Sequence, residues 1–190
     1  MAVIMNAKDM HDPERRNFRA AEEFERVIAA GFDPTEVDLR NYYTNNKALK
    51  NDLQKFDVIW VVGGNCFVLR KAFYLSGFDT VLPELLRADA VVYAGYSAGT
   101  CVVTPTLRGI DLCDDISLGE QYFPEVPIIW DGLGLIPYAV APHYKSDHPE
   151  SAMIDRVVTY FEHNHIPYKP LRDNEVLLAD ATSSDLEHLH

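Results

Sequence analysis

The chain has 190 residues, 47% hydrophobic and 24% charged, close to the globular average, which excludes disorder, a collagen-like repeat or a disulfide scaffold. Its formal charge of −12, from 17 basic and 29 acidic residues, disfavours nucleic acid and anionic membranes as partners. No apolar run approaches the roughly 18 residues that span a bilayer, and Met1-Ala2-Val3-Ile4-Met5 lacks the basic region and length of a signal peptide. A cytoplasmic location is expected. Cys66, Cys101 and Cys113 are odd in number, with no paired spacing, so no disulfide framework is expected. Neither CxxC nor HExxH occurs, so no metal and no cofactor is expected.

In chain order, short apolar runs alternate with helical patterns, the signature of βαβ units and a parallel sheet. Residues 2–5 read as a strand. Phe18, Ala21, Phe24, Val27 and Ile28 recur at helical spacing over residues 13–30, and Gly31 supplies the stop. Val37-Asp38-Leu39 is a weak second strand. Residues 58–62, Val-Ile-Trp-Val-Val, suit a strand buried on both faces. Helices are expected over 66–75 and over 80–87, the latter with Pro83 in its first turn. Residues 90–94 form the next buried strand. Residues 105–135 are rich in Gly, Pro and Asp and read as a long loop or short hairpin. Residues 138–141 are a strand, Met153, Val157, Val158 and Phe161 mark a helix, and strand-like pieces follow at 168–171 and 176–179. The expected organisation is a single α/β domain over 1–180 and a polar tail over 181–190.

Functional residues of open parallel sheets sit beyond the carboxyl ends of strands, and three such ends carry the parts that acyl transfer needs. Gly95-Tyr96-Ser97-Ala98-Gly99 follows a strand and opens a helix, the context of a G-x-S-x-G nucleophile elbow. A chance match occurs about once in twenty chains of this size, and the preceding strand makes it rarer. Ser97 is the candidate nucleophile, and the Ala98 N–H a candidate oxyanion donor. Gly63-Gly64-Asn65 ends another strand, where glycine lets a backbone N–H approach a developing oxyanion. Gly64 is the second candidate donor and Asn65 a candidate substrate contact. Pro142-His143-Tyr144 ends a third. Of seven histidines, only His143 and His148 lie near a strand end, and His148 reads as the first turn of the next helix. His143 is therefore the candidate base. For an orienting carboxylate, Asp173 and Glu175 lie between the last two strands, and Asp111, Asp114, Asp115 and Asp147 are also candidates. Cys101, one helical turn past Ser97, and Cys66, after the glycine turn, read as core residues.

At Gly63-Gly64-Asn65 and at Ala94-Gly95-Tyr96-Ser97-Ala98-Gly99 the chain resembles the peptidase E family, serine peptidases that include aspartyl dipeptidases and, more distantly, cyanophycinases. The resemblance runs over about residues 3–179 and includes Pro105-Thr106-Leu107-Arg108 and Pro142-His143-Tyr144. It implies Ser97 as nucleophile, His143 as base, and Gly64 and Ala98 as oxyanion donors. It also implies an acid in the turn Arg172-Asp173-Asn174, hence Asp173 in place of a glutamate. The implied fold is a three-layer α/β/α domain with a mainly parallel sheet, like that of class I glutamine amidotransferases.

Members of that family usually have one more strand before the segment matching residues 2–5. Its absence implies an open sheet edge that a second copy would cover, making a homodimer. Aspartyl dipeptidases also bind the substrate's acidic side chain with an arginine beyond the histidine. Here Pro149-Glu150-Ser151-Ala152 has none, and the nearest is Arg156. The expected partner is a short peptide, without preference for N-terminal aspartate. Two rival expectations are a serine hydrolase of another ester or amide class, and a non-catalytic binding protein that retains the fold.

Overall fold

The computed structural model describes residues 1–43, 45 and 47–180, together with the strand at Ser184–His188. Four strands form a parallel sheet in the order β2-β1-β3-β4, comprising β1 (Ala2–Ile4), β2 (Thr35–Glu36), β3 (Val58–Val61) and β4 (Val92–Gly95). A parallel pair, β5 (Ala139–Ala141) with β6 (Tyr168–Pro170), and an antiparallel pair, β7 (Glu175–Ala179) with β8 (Ser184–His188), complete the strands.

Alternation along the strands assigns the two faces of the four-stranded sheet. Val3, Met5 and Val62 pack with Ala20 and Phe24 of α1 (Pro13–Ala29). Ala2, Ile4, Ile59 and Val61 point the other way, into the main core with α3 (Cys66–Ser76) and α4 (Phe78–Arg87). That core continues through Ala139, Val140 and Ala141 to Ile154, Val157 and Phe161 of α7 (Ser151–His163). Helices on both faces of a parallel sheet bury the strands' apolar runs, giving three layers. The α1 face is the thinner one. It keeps a hollow of about 360 Å³ lined by Val27, Phe32, Trp60 and Tyr96 among others. Among the described residues, no helix is long and apolar enough to cross a membrane.

Local chemistry fixes the helix ends. Asp12 caps α1 by accepting from the Arg15 N–H, with Pro13 in the first turn. Asn65 caps α3 by accepting from the N–H groups of Phe67 and Val68, both at 3.0 Å.

Several elements depart from the sequence expectation. The second strand is Thr35–Glu36, because chain pairing with β1 begins there; the buried Val37 only extends it by donating to Val3 O. With β2 and β3 on either side, β1 is an interior strand. β4 lies at the sheet edge, and Val92 is 61% exposed, so this strand is not buried on both faces. Helix α4 starts directly after Gly77, whose left-handed backbone (φ 73°) ends α3. Pro83 therefore lies inside α4 and not in its first turn. The 105–135 stretch, expected as loop or hairpin, holds a helical turn at Ile110–Leu112 and α6 (Ile116–Tyr122), capped by Asp115. Part of the expected tail, Ser184–His188, is strand β8; positions 181–183 and 189–190 lie outside the described residues.

Candidate active site

The turn that carries Ser97, the candidate elbow, is built where β4 meets the short helix α5 (Ala98–Cys101). Ser97 has φ 50° and ψ −115°, a backbone region that L-residues avoid and that persists only where surroundings enforce it. Three contacts enforce it here. Tyr93 OH donates to Gly99 O (2.5 Å), Thr100 Oγ1 donates to Gly95 O (3.0 Å), and Tyr96 OH donates to the Glu23 carboxylate (3.0 Å). Glu23 is 3% exposed and also accepts from Trp60 Nε1 at 2.7 Å. A carboxylate behind the sheet thus clamps the residue next to the serine.

The glycine turn after β3 lies against this elbow. A Cβ at Gly63 would stand 2.9 Å from Ser97 Cβ and 2.8 Å from the Tyr96 ring, so only glycine allows the two loops to approach. The Gly64 and Ala98 N–H groups donate to no acceptor among the described residues, which leaves both free for an oxyanion. Asn65, expected at the substrate, is 4% exposed and committed elsewhere. Its Oδ1 caps α3, and its Nδ2 donates to Asp115 O at 2.9 Å. Asn65 shapes the turn and has no free polar atom to offer a substrate.

His143 follows β5 with φ 59°, left-handed and uncommon for a non-glycine residue. The loops after β5 and β6 are tied together. The Tyr144 N–H donates to Leu171 O (3.1 Å), and the Asp173 N–H to Ser146 Oγ (3.0 Å). This brings Asp173 Oδ1 to 2.6 Å from His143 Nδ1. A carboxylate accepts, so Nδ1 carries the proton and Nε2 presents its lone pair. Among the described residues no hydrogen bond joins Ser97 Oγ to His143; the elements that precede or follow them, α5 and β5, pack on each other. The structure therefore joins His143 to Asp173 and the glycine turn to the turn at Ser97, and shows no bond between the serine and the imidazole. Of the other acids considered, Glu175 accepts from the Arg172 N–H (2.8 Å), and Asp115 caps α6.

Two features escape the sequence reading. Asp114 Oδ2 accepts from the Cys66 N–H at 2.6 Å, beside the glycine turn, and burial pushes its carboxyl up to about 6. Cys66 and Cys101, expected in the core, are 2% and 3% exposed; their mutual hydrogen bond, burial and Asp114 raise the Cys66 thiol well above its usual range. The second feature is His148. It lies in the turn before α7, not in its first turn, and its ring stacks on His143 with centroids 3.7 Å apart and planes 8° from parallel. The Glu150 carboxylate stands 4.0 Å from His143 Nε2 and 4.0 Å from His148 Nδ1. No sequence spacing signals this group, since it depends on the path of the loop.

Comparison with known proteins places the chain in a family. The profile of peptidase family S51 matches residues 14–186. Peptidase E of Streptomyces coelicolor is 30% identical over 146 residues, 74% of this chain and 56% of its own length. A probable alpha-aspartyl dipeptidase of Drosophila melanogaster is 29% identical over 126 residues, 64% of this chain and 49% of its own. The chain thus spans about half the length of the curated relatives it matches. The crystal structure of a candidate peptidase E protein from Listeria monocytogenes superposes with a TM-score of 0.75 at 22% identity, covering 100% of this chain and 86% of that one. The fold is accordingly the three-layer, class I glutamine amidotransferase-like type. With its residues 14–186 matched, the chain belongs to peptidase family S51.

Proposed function

We propose that the chain is a serine peptidase acting on short peptides, in the manner of the dipeptidases among its relatives. Ser97 attacks the scissile carbonyl and passes its proton to His143 Nε2. Asp173 holds the imidazole in the required tautomer and stabilises the imidazolium that forms. The Gly64 and Ala98 N–H groups receive the oxyanion, an acyl-enzyme forms, the imidazolium protonates the leaving amine, and water releases the acyl group. The His143 to Asp173 contact of 2.6 Å carries this reading. Added to it is the strained Ser97 backbone, of the kind that clusters at active sites. In resting enzymes the serine–histidine bond is often long and closes only with substrate.

A fluorophosphonate probe tests the nucleophile, and a panel of dipeptides differing in the N-terminal residue tests the substrate. Labelling is expected at Ser97, lost in Ser97→Ala and slowed in His143→Ala, with dipeptide turnover falling about 10⁶-fold in Ser97→Ala. Retention of turnover by Ser97→Ala refutes the proposal. Ester turnover without dipeptide turnover would replace the substrate class and leave the nucleophile.

A further inference from the structure

We propose that His143, His148 and Glu150 form a binding site for a zinc-like divalent transition metal ion, and that the ion silences the histidine base. One donor atom from each of the three residues lies within 4.8 Å of the other two. Two imidazoles and one carboxylate are a ligand set suited to zinc, and a tetrahedral ion would draw such donors to about 3.3 Å apart. The required contraction is small for side chains on a loop and the start of a helix. The rings are stacked face to face, so a single ion reaches both imidazoles only if the His148 ring turns out of its stack. That ring is partly exposed, and among the described residues the Glu150 N–H alone donates to it, at 3.2 Å.

Three further observations favour a cation here. Among the described residues, Glu150 has no lysine or arginine partner; its ion-pair contacts are the two imidazoles at 4.0 Å. Asp114 and Glu150 also raise the local negative potential, each opposing ionisation of the partly buried Cys113 thiol. Finally, Asp173 already accepts from Nδ1 of His143. A carboxylate on the far nitrogen of a ligating histidine fixes the tautomer and makes Nε2 a better donor. The same contact that readies Nε2 to take a proton readies it to take a metal. Nothing in the spacing of these residues, H-x4-H-x-E, marks a known zinc motif.

Binding of the ion does not depend on the serine peptidase reading, but its effect on turnover does. A bound ion occupies Nε2, so Ser97 has no base and hydrolysis stops until a chelator removes the metal. The experiment is isothermal titration of the whole chain and of its Ser97→Ala variant with zinc chloride, alongside cobalt(II) absorption as a spectroscopic stand-in. Wild type and Ser97→Ala are expected to bind alike, with the cobalt spectrum showing tetrahedral nitrogen and oxygen ligation. His148→Ala and Glu150→Gln should each weaken this site about tenfold or more, and Asp173→Asn about tenfold through the outer contact. Absence of binding at millimolar zinc overturns the proposal. So does binding that none of these variants weakens, which would assign the ion to other histidines. If zinc binds as described but no dipeptide is hydrolysed by the metal-free chain, the metal site stands and the peptidase reading fails. If both hold and EDTA-reversible inhibition is absent, the silencing role is refuted.

Discussion

Beyond β1, a charged cluster closes on itself. Arg16, 6% exposed, donates to Asp9 at 2.8 Å and to Glu36 at 2.6 Å. The fully buried Asn6 donates to Asp9 and Asp38 and accepts from the Leu39 N–H. Beyond β5, the cluster of His143, His148, Glu150 and Asp173 stays half open. Its carboxylate side chains are 38% and 45% exposed, and among the described residues neither has a lysine or arginine partner. Both clusters occupy strand ends, where open parallel sheets place their polar residues. The first leaves nothing for a substrate to bind, because every buried charge has its partner. The second retains an unspent imidazole nitrogen and an underpaired carboxylate. Saturation of hydrogen bonds, more than charge density, separates a scaffold cluster from a reactive one.

Substitutions at the two clusters should therefore differ in kind. The largest stability effect is expected from Arg16→Ala, which leaves the buried Asp9 only the more distant cation of Arg40, at 3.8 Å; it should cost about 3 kcal/mol in denaturant unfolding. A loss under 1 kcal/mol would mean the first cluster is as loose as the second. Asp173→Asn should hardly move unfolding, yet lower kcat about 10⁴-fold, because the amide loses the charge and can donate to His143 Nδ1, favouring the wrong tautomer. An unchanged kcat with altered stability would reverse the assignment. The smallest effect is a difference in pH dependence. Hydrogen bonds from Arg40, acting against burial, hold the Asp38 carboxyl below its usual 3.8. Its stabilising share is present above that pH and lost as pH falls. Asp114, pushed up to about 6 by burial, has the opposite sign: stability declines as pH rises from about 4 to 6. Melting curves should show Asp114→Asn more stable than wild type above pH 6 and matched at pH 4. Asp38→Asn should be less stable at pH 7, with the gap closing on acidification.

The parts legible in the sequence are those governed by local pattern. Apolar runs such as Val58-Ile59-Trp60-Val61 mark central strands because both faces are covered. Gly95 to Gly99 marks the elbow, since its glycines answer a local steric demand. The pairing of His143 with Asp173 joins a residue picked out by its place at a strand end to one picked out by resemblance to a family turn. What could not be read depends on tertiary path. Whether Asn65 faces a ligand or its own helix is decided by the capping geometry of α3. The 105–135 stretch hides α6 because its glycine and aspartate content resembles loop, while Asp115 in fact caps a helix. His148 meets His143 only after the loop folds back, and Val92 is exposed because no hydrogen-bonded strand follows β4 in its sheet.

The φ of 50° at Ser97 bears on whether the chain has abandoned chemistry. A serine there costs on the order of 1–3 kcal/mol relative to an unstrained residue, whereas glycine adopts such angles freely. Ser97→Gly should thus yield a dead but sturdier protein, with a melting point above that of wild type. On the function proposed above, that strain is the cost of presenting the hydroxyl, and the glycine variant separates the cost from the use.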